Sequence, residues 1–167
     1  MTLAAVPLAL IALALPASPH HPVATAGCAG DDVATVLCLV NGQRVANGVR
    51  PVRLDGRLSA AARAHSADMV AHRYFGHSSR SGASFAARIA ASGWMRHRRG
   101  WAVGEDLAWG TGERATPAGL VAAWMASPPH RTVLLDPRFR AIGIGIAAGV
   151  PVAGVAGGVT CTADFGS

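Results

Sequence analysis

A run in which isoleucine and glycine alternate, Ile142 to Ile146, constrains the fold of this chain more than any other feature. Strict alternation predicts a β-strand with its isoleucines on one face. The glycines leave the other face without side chains, so another element must approach the strand closely there. A second alternating run, Val159 to Phe165, predicts a further strand.

Helical signals come before these strands. Asp31 and Asp32 can cap a first helix, and Pro117 is suited to the first position of the last one. The segments predicted as helices are residues 31–47, 56–73, 84–92 and 116–126. Helices followed by two or three strands, without sustained alternation, predict an α+β fold rather than a doubly wound sheet. Pro128 and Pro129 should end the fourth helix and project His130 from a fixed corner.

The first 26 residues have the composition of a leader. They contain no Lys, Arg, Asp or Glu, and the apolar run from Leu3 to Leu15 is too short to span a bilayer. This is typical of the apolar core of a signal peptide, although a basic segment before it is missing. We therefore expect an exported protein, with residues 1–26 as signal peptide and linker, residues 27–167 as a single domain, and no transmembrane helix in the mature chain.

The formal charge of +6 comes from fifteen basic residues that are all arginine. Coding bias explains this composition more simply than selection for phosphate contacts. The densest cluster, residues 96–99, lies near Trp94 and Trp101 and is interpreted either as a solvated loop or as a contact for anionic envelope polymer or lipid headgroups. No recognition-helix pattern accompanies it, so nucleic acid is not an expected partner.

Three cysteines in an exported chain raise the question of disulfide pairing. Cys28 and Cys38 are ten residues apart, and a bridge over that loop would contribute about 2 to 3 kcal/mol. Cys161 would then remain as a buried free thiol that behaves as a small hydrophobe. Alternatively, Thr25-Ala26-Gly27-Cys28 is a lipoprotein cleavage site. Two features disfavour this alternative: Thr25 fits the first position of such a site poorly, and the apolar run ends well upstream.

Two histidines and a glutamate stand in three short islands where segments of the chain can converge. They are His77 after Gly76, Glu105 after Gly104, and His130 after two prolines. Glu105 is one of only two glutamates in the chain, which sets it apart from routine surface charge. These residues predict either a metal site or a polar network that joins loops without any metal.

The order and content of these islands resemble the CAP superfamily, which comprises cysteine-rich secretory proteins, antigen 5 and pathogenesis-related proteins, and most closely its bacterial secreted branch. The resemblance covers roughly residues 28–167. It rests on LSAAARAHSADM, FGH, VGEDLAWG, WMASPPHR, FRAIGIGIA and a terminal DFG, in that order. It implies an α-β-α sandwich, in which a small antiparallel sheet lies between helical layers.

The resemblance also implies a central cleft with two histidines and acidic partners. Carried onto this chain, the cleft residues are His77, Glu105 and His130, while Ser127 occupies the position of a frequent fourth acid. Two imidazoles and at most one carboxylate would favour zinc, or another divalent metal, in an open site completed by water. A second conceivable ligand set, His65, Asp68 and His72, is better interpreted as a core histidine and a surface histidine on one helix.

Motifs of the common enzyme classes are missing: the chain has no HExxH, GxSxG, CxxC or phosphate loop. The leading interpretation is therefore a secreted, non-enzymatic domain that binds a ligand, such as the sterols or fatty acids bound by some family members, at the envelope or outside the cell. One alternative is a metal-dependent hydrolase with His77 and His130 as ligands and Glu105 as general base. Another is a structural or adhesive module with a vestigial cleft.

Overall fold

The computed structural model describes Cys28 and residues 30–167, so the predicted leader and the lipoprotein cleavage alternative lie outside the described residues. The elements, in chain order, are α1 (Asp32–Ala46), β1 (Arg53–Leu54), α2 (Gly56–His72), α3 (Phe85–Ala91), β2 (Val103–Gly110), a 3₁₀ helix (Gly112–Ala115), α4 (Pro117–Ala126), α5 (Pro128–Leu134), β3 (Ala141–Ala148) and β4 (Val159–Gly166).

Side-chain caps set the starts of the predicted helices. The carboxylate of Asp31 accepts a hydrogen bond from the amide of Ala34 at 2.8 Å, and Asp55 caps α2 in the same way. Ser84 and Thr116 cap α3 and α4. These bonds satisfy amides that a helix leaves free in its first turn, so the predicted starts agree with the structure to within a residue.

The strands form one mixed sheet in the order β1-β3-β4-β2. β3 and β2 flank β4, and both pairs are antiparallel, which agrees with the expected antiparallel sheet. The two-residue β1 instead pairs with β3 in parallel. Strand β2 is a long strand that the sequence patterns did not identify. Its glycines and its adjacent acidic residues are unfavourable in strands, and pairing with β4 along all eight residues overrides that preference.

Helix α2 packs directly on the glycine face of β3. A Cβ atom added at Gly143 would lie 2.1 Å from the carbonyl carbon of Leu58, and one at Gly145 would lie 2.1 Å from the amide nitrogen of Arg63. Only glycine permits this approach of helix backbone to strand. The expected close contact at the Gly–Ile run is therefore confirmed.

The opposite face of the sheet carries the main apolar core. Ile142 and Ile144 of β3 and Phe165 of β4 pack with Trp124 of α4 and Leu39 of α1, and all five are buried. Helices thus cover both faces of the sheet, which confirms the α+β class and the α-β-α sandwich. Among the described residues, no helix has the length and apolarity needed to cross a membrane.

The cysteines pair as predicted. Cys28 and Cys38 form a disulfide with Cα atoms 5.6 Å apart, which ties the entering chain to α1. Cys161 is a free thiol, fully buried on β4, and burial raises its pKa to about 12. It therefore acts as a small apolar side chain of the core.

As expected, α4 ends just before the prolines at 128 and 129, but a short helix that the sequence patterns did not predict, α5, follows at once. The two prolines are the first two residues of α5, where proline is tolerated because the first amides of a helix have no intrahelical acceptor. His130 is therefore the third residue of a short helix.

Candidate functional site

The predicted cleft residues lie on three different kinds of element. His77 lies in the loop between α2 and α3, Glu105 lies on β2, and His130 lies on α5. Glu105 has a fully buried side chain, whereas the side chain of His77 is 52% exposed. The buried carboxylate thus lies behind a histidine that reaches solvent.

Both oxygens of Glu105 have a partner. Nδ1 of His77 lies 2.8 Å from Oε1, and Nη2 of Arg88 pairs with Oε2. Arg88 also donates from Nη1 to the backbone carbonyl of His77 at 2.8 Å. His77, Glu105 and Arg88 therefore form a closed cycle that holds both the ring and the backbone of His77.

This cycle determines the tautomer of His77. An ionised carboxylate only accepts hydrogen bonds, so Nδ1 of His77 carries the hydrogen and donates a hydrogen bond to Oε1 of Glu105. Nε2 then keeps its lone pair when the ring is neutral. A carboxylate behind the other ring nitrogen is the arrangement that orients ligand-binding histidines.

His130 lies close enough to His77 for the charge of one to act on the other. Burial, and then the charge on His77, lower the pKa of His130. The His130 imidazole is consequently neutral at neutral pH, with lone-pair density available to a ligand. Among residues 30–167 its side chain has no hydrogen bond.

Ser127, expected at the position of a fourth acid, lies at the junction of α4 and α5. Its backbone carbonyl accepts from the amide of Arg131 at 2.8 Å, and within the described part of the chain its hydroxyl makes no hydrogen bond to the cleft residues. It supplies no charge where a fourth acid would.

The alternative ligand set on α2 forms a network of its own. Nδ1 of His72 pairs with Asp68 at 2.7 Å, and the hydroxyl of Tyr74 donates to the other oxygen of Asp68. His65, only 1% exposed, donates from Nε2 to the carbonyl of Gly76 at 3.0 Å, and burial chiefly lowers its pKa. His65 is thus a core histidine that fixes the backbone just before His77.

No group of three or more His, Cys, Asp or Glu side chains in the described part of the chain is placed to hold a metal ion. In the cleft, the two oxygens of Glu105 face His77 and Arg88. The groups open to a ligand or metal are the two imidazoles, His77 through Nε2 and His130.

Sequence reasoning missed two partners of Glu105. Arg88 is the one charged residue in the apolar helix Phe85–Ala91, which was the available signal. Asp164 faces Glu105 across the β2–β4 pair, fully buried, and burial together with the charge of Glu105 raises its pKa well above its usual range. Both effects favour the protonated form of Asp164.

Asp106 follows Glu105 but points to the opposite face of the sheet, because side chains alternate along a strand. That face is the apolar core, which also contains Ala108 two residues on. Asp106 is fully buried and neither carboxyl oxygen has a hydrogen-bond partner among the described residues. Burial, and then the charge of Glu105, raise its pKa to about 8.

Solved structures of bacterial proteins share this fold. An extracellular protein containing an SCP domain from Bacillus anthracis str. Ames superposes with a TM-score of 0.63 at 22% identity, covering 80% of this chain and 39% of that one. An outer surface protein from Borrelia burgdorferi gives a TM-score of 0.66 at 18% identity, covering 82% of this chain and 92% of that one.

Sequence comparison identifies the family directly. The uncharacterized protein YkwD of Bacillus subtilis (strain 168) is 36% identical over 110 residues, which are 66% of this chain and 40% of YkwD. This chain thus spans about two fifths of that relative. The model of the CAP family, described as the cysteine-rich secretory protein family, matches residues 37–154. The chain therefore belongs to the CAP, or cysteine-rich secretory protein, family.

Proposed function

We propose that this protein is an extracellular, non-enzymatic CAP domain that binds a ligand in its cleft through His77 and His130. The observation that carries the proposal is the engagement of both oxygens of Glu105, one with His77 and one with Arg88. A general base must reach the proton that it removes from a substrate. A buried carboxylate already held by two partners is better suited to orient His77.

The occupant that we propose for this pair of imidazoles is a divalent metal, with zinc as the first candidate. His77 would bind through Nε2, with Glu105 fixing the ring from behind, and His130 would supply the second nitrogen. Zinc bound there would act as a Lewis acid with positions open to water or a ligand. Glu105 and Arg88 would keep the first ligand rigid, which lowers the entropic cost of binding.

An apolar ligand is the class favoured by a separate cavity, which neither His77 nor His130 lines. This cavity has a volume of about 750 Å³ and lies along the end of α4, α5 and the segment after it. Its lining includes Met125 and Leu135 together with three charged residues, Arg131, Asp136 and Arg138. A fatty acid, with an apolar chain and an anionic head, matches such a lining.

Extracellular placement is supported by two kinds of observation. The predicted signal peptide and the Cys28–Cys38 disulfide are typical of exported chains. The related structures include a protein described as extracellular and one described as an outer surface protein.

Zinc titration by calorimetry tests the proposal. The metal-free protein is expected to bind one zinc, and His77→Ala or His130→Ala should each abolish stoichiometric binding. His72→Ala removes an exposed histidine outside the cleft and should leave binding intact. Unchanged binding in both cleft variants would contradict the metal assignment.

Glu105→Gln distinguishes the proposed domain from a hydrolase. In a ligand-binding domain the substitution should weaken zinc binding and lower stability together, because it disturbs the cycle that holds His77. If Glu105→Gln instead folded and bound zinc normally but abolished turnover of an ester or peptide substrate, Glu105 would be a catalytic base and the non-enzymatic proposal would be wrong.

A further inference from the structure

The basic cluster near Trp94 borders a pocket that shares no residue with the cleft. The pocket has a volume of about 520 Å³ and is lined by Asp55, Gly56, Arg57, Trp94, Arg96 and Arg98. Three guanidinium groups against one carboxylate leave the lining with a net charge of +2. The sequence patterns left this cluster open between a solvated loop and a contact for anionic polymer or headgroups.

The backbone turn at Gly93 and Trp94 organises the three arginines. Nη1 of Arg57 donates to the carbonyl of Gly93 at 3.2 Å, and Nε of Arg98 donates to the carbonyl of Trp94 at 2.9 Å. The guanidinium of Arg98 also lies 4.0 Å from the centre of the Trp94 ring. Arg96 lies against Gly93, since a Cβ there would be 3.6 Å from its Nε. The side chains are therefore partly ordered before any ligand arrives.

The three arginines outnumber the acid beside them, and Arg98 also donates from Nη1 to the backbone oxygen of Ser167 at 3.5 Å. None of Arg57, Arg96 and Arg98 forms an ion pair within the described residues. The nearby acid, Asp55, uses Oδ1 to accept from two amides at the start of α2. Gly56 is the first residue of α2, a helix of 17 residues, so the partial positive charge of the helix terminus adds to the same field. An entering anion would relieve the mutual repulsion of the arginines.

We propose that this arginine pocket, defined by Arg57, Arg96 and Arg98, binds the phosphate group of a phosphoester. Guanidinium groups bind phosphate through paired N–H donors, and a phosphate monoester carries close to two negative charges at neutral pH, which matches the charge of the lining. The volume leaves room for a small alcohol or sugar attached to the phosphate. The same chemistry is found in a soluble phosphoester and in the headgroup of an anionic lipid.

Titration with glycerol 3-phosphate, followed by amide NMR shifts at constant ionic strength, tests the proposal. We expect saturable shifts confined to residues 56–58 and 93–98. Arg96→Gln should weaken the affinity about tenfold, because it removes charge-assisted hydrogen bonds. Arg96 is exposed and its side chain makes no hydrogen bond among the described residues, so its variant should melt at the parent temperature.

Arg114→Gln is the matched control, because it removes the same charge from the exposed 3₁₀ helix outside the pocket. Its affinity should equal that of the parent. Equal weakening by Arg96→Gln and Arg114→Gln, or shifts spread over the whole surface, would show that only net charge attracts the anion and would overturn the proposal. Acetate binding as tightly as glycerol 3-phosphate would overturn the preference for phosphate.

Vesicles identify the source of the phosphate. Sedimentation with phosphatidylglycerol vesicles, but not with phosphatidylcholine vesicles, that is lost in Arg96→Gln and competed by glycerol 3-phosphate would assign the pocket to a lipid headgroup. Binding of glycerol 3-phosphate without sedimentation would assign it to a soluble or polymeric phosphoester. Zinc titration of the same Arg96→Gln variant should be unchanged, so failure of this proposal is distinguishable from failure of the proposed cleft.

Discussion

Asp106 offers the sharpest test of the physical picture, because its burial should make folding depend on pH. Its carboxyl group is fully buried without a hydrogen-bond partner among the described residues, and its pKa is raised from the ordinary 3.8 to about 8. Between these two values the unfolded chain has released a proton that the folded protein keeps. Asp106 therefore lowers the free energy of unfolding as the pH rises. Its contribution is close to zero below pH 4 and becomes increasingly destabilising up to about pH 8.

The magnitude follows from linkage. At pH 7 the unfolded group lies about three units above its pKa, and each unit corresponds to about 1.4 kcal/mol, so the cost reaches up to about 4 kcal/mol. Asp106→Asn keeps the shape but cannot titrate. Relative to the parent, the variant should gain about 4 kcal/mol of unfolding free energy between pH 4 and pH 7, or on the order of 10 °C in melting temperature. Any constant cost of burying the amide cancels in that difference.

Urea unfolding at several pH values, followed by tryptophan fluorescence, measures this difference. Glu113→Gln serves as the control, because Glu113 is exposed and has no ion pair within the described residues. Its stability should run parallel to that of the parent across the pH range. Parallel curves for Asp106→Asn and the parent would show that Asp106 is not kept protonated by burial, and the reasoning would be refuted.

Three further predictions concern the fold and the cleft. Gly143→Ala should lower the unfolding free energy by about 2 kcal/mol or more in a urea titration, because its Cβ would meet the α2 backbone, whereas Gly56→Ala, with nothing within 4 Å, should not. Arg88→Gln should cost about 3 kcal/mol in the same assay, since it leaves a buried carboxylate without its cation; a melting temperature equal to that of the parent would exclude this ion pair as a stabilising contact. Zinc affinity measured by calorimetry should persist to pH values below 6.5, because the pKa of His130 is lowered, and be lost on further acidification; loss well above pH 7 would contradict a neutral His130.

The elements that the sequence predicted well have strong local determinants. Asp31, Asp55, Ser84 and Thr116 each cap a helix through a hydrogen bond close in the chain, and such signals are visible in the sequence. The Gly–Ile run likewise predicted a close helix contact from composition alone. Strand β2 and helix α5 lacked such signals, because β2 is held by its pairing with β4, and α5 begins with prolines that also end α4.

The candidate site was predictable in its residues but not in its connections. Glu105 stands out because the chain has only two glutamates, and the two histidines stand out because they follow glycine or proline in short motifs. Arg88 was not associated with them, since no spacing rule links a residue of α3 to a carboxylate on β2. Only the packing of α3 beside β2 places the guanidinium against Glu105 and against the backbone of His77.

The pair Glu105–Asp106 shows how the fold separates two neighbouring acids. The alternation of β2 turns Glu105 toward the loop of His77, where its two oxygens pair with His77 and Arg88. The same alternation turns Asp106 into the apolar core, where its carboxyl group is held neutral at a cost in stability. Shifting the register of β2 by one residue would exchange these two environments and leave the histidine without its carboxylate. The pairing of all eight residues of β2 with β4 therefore keeps Glu105 on the side of the sheet that faces the cleft.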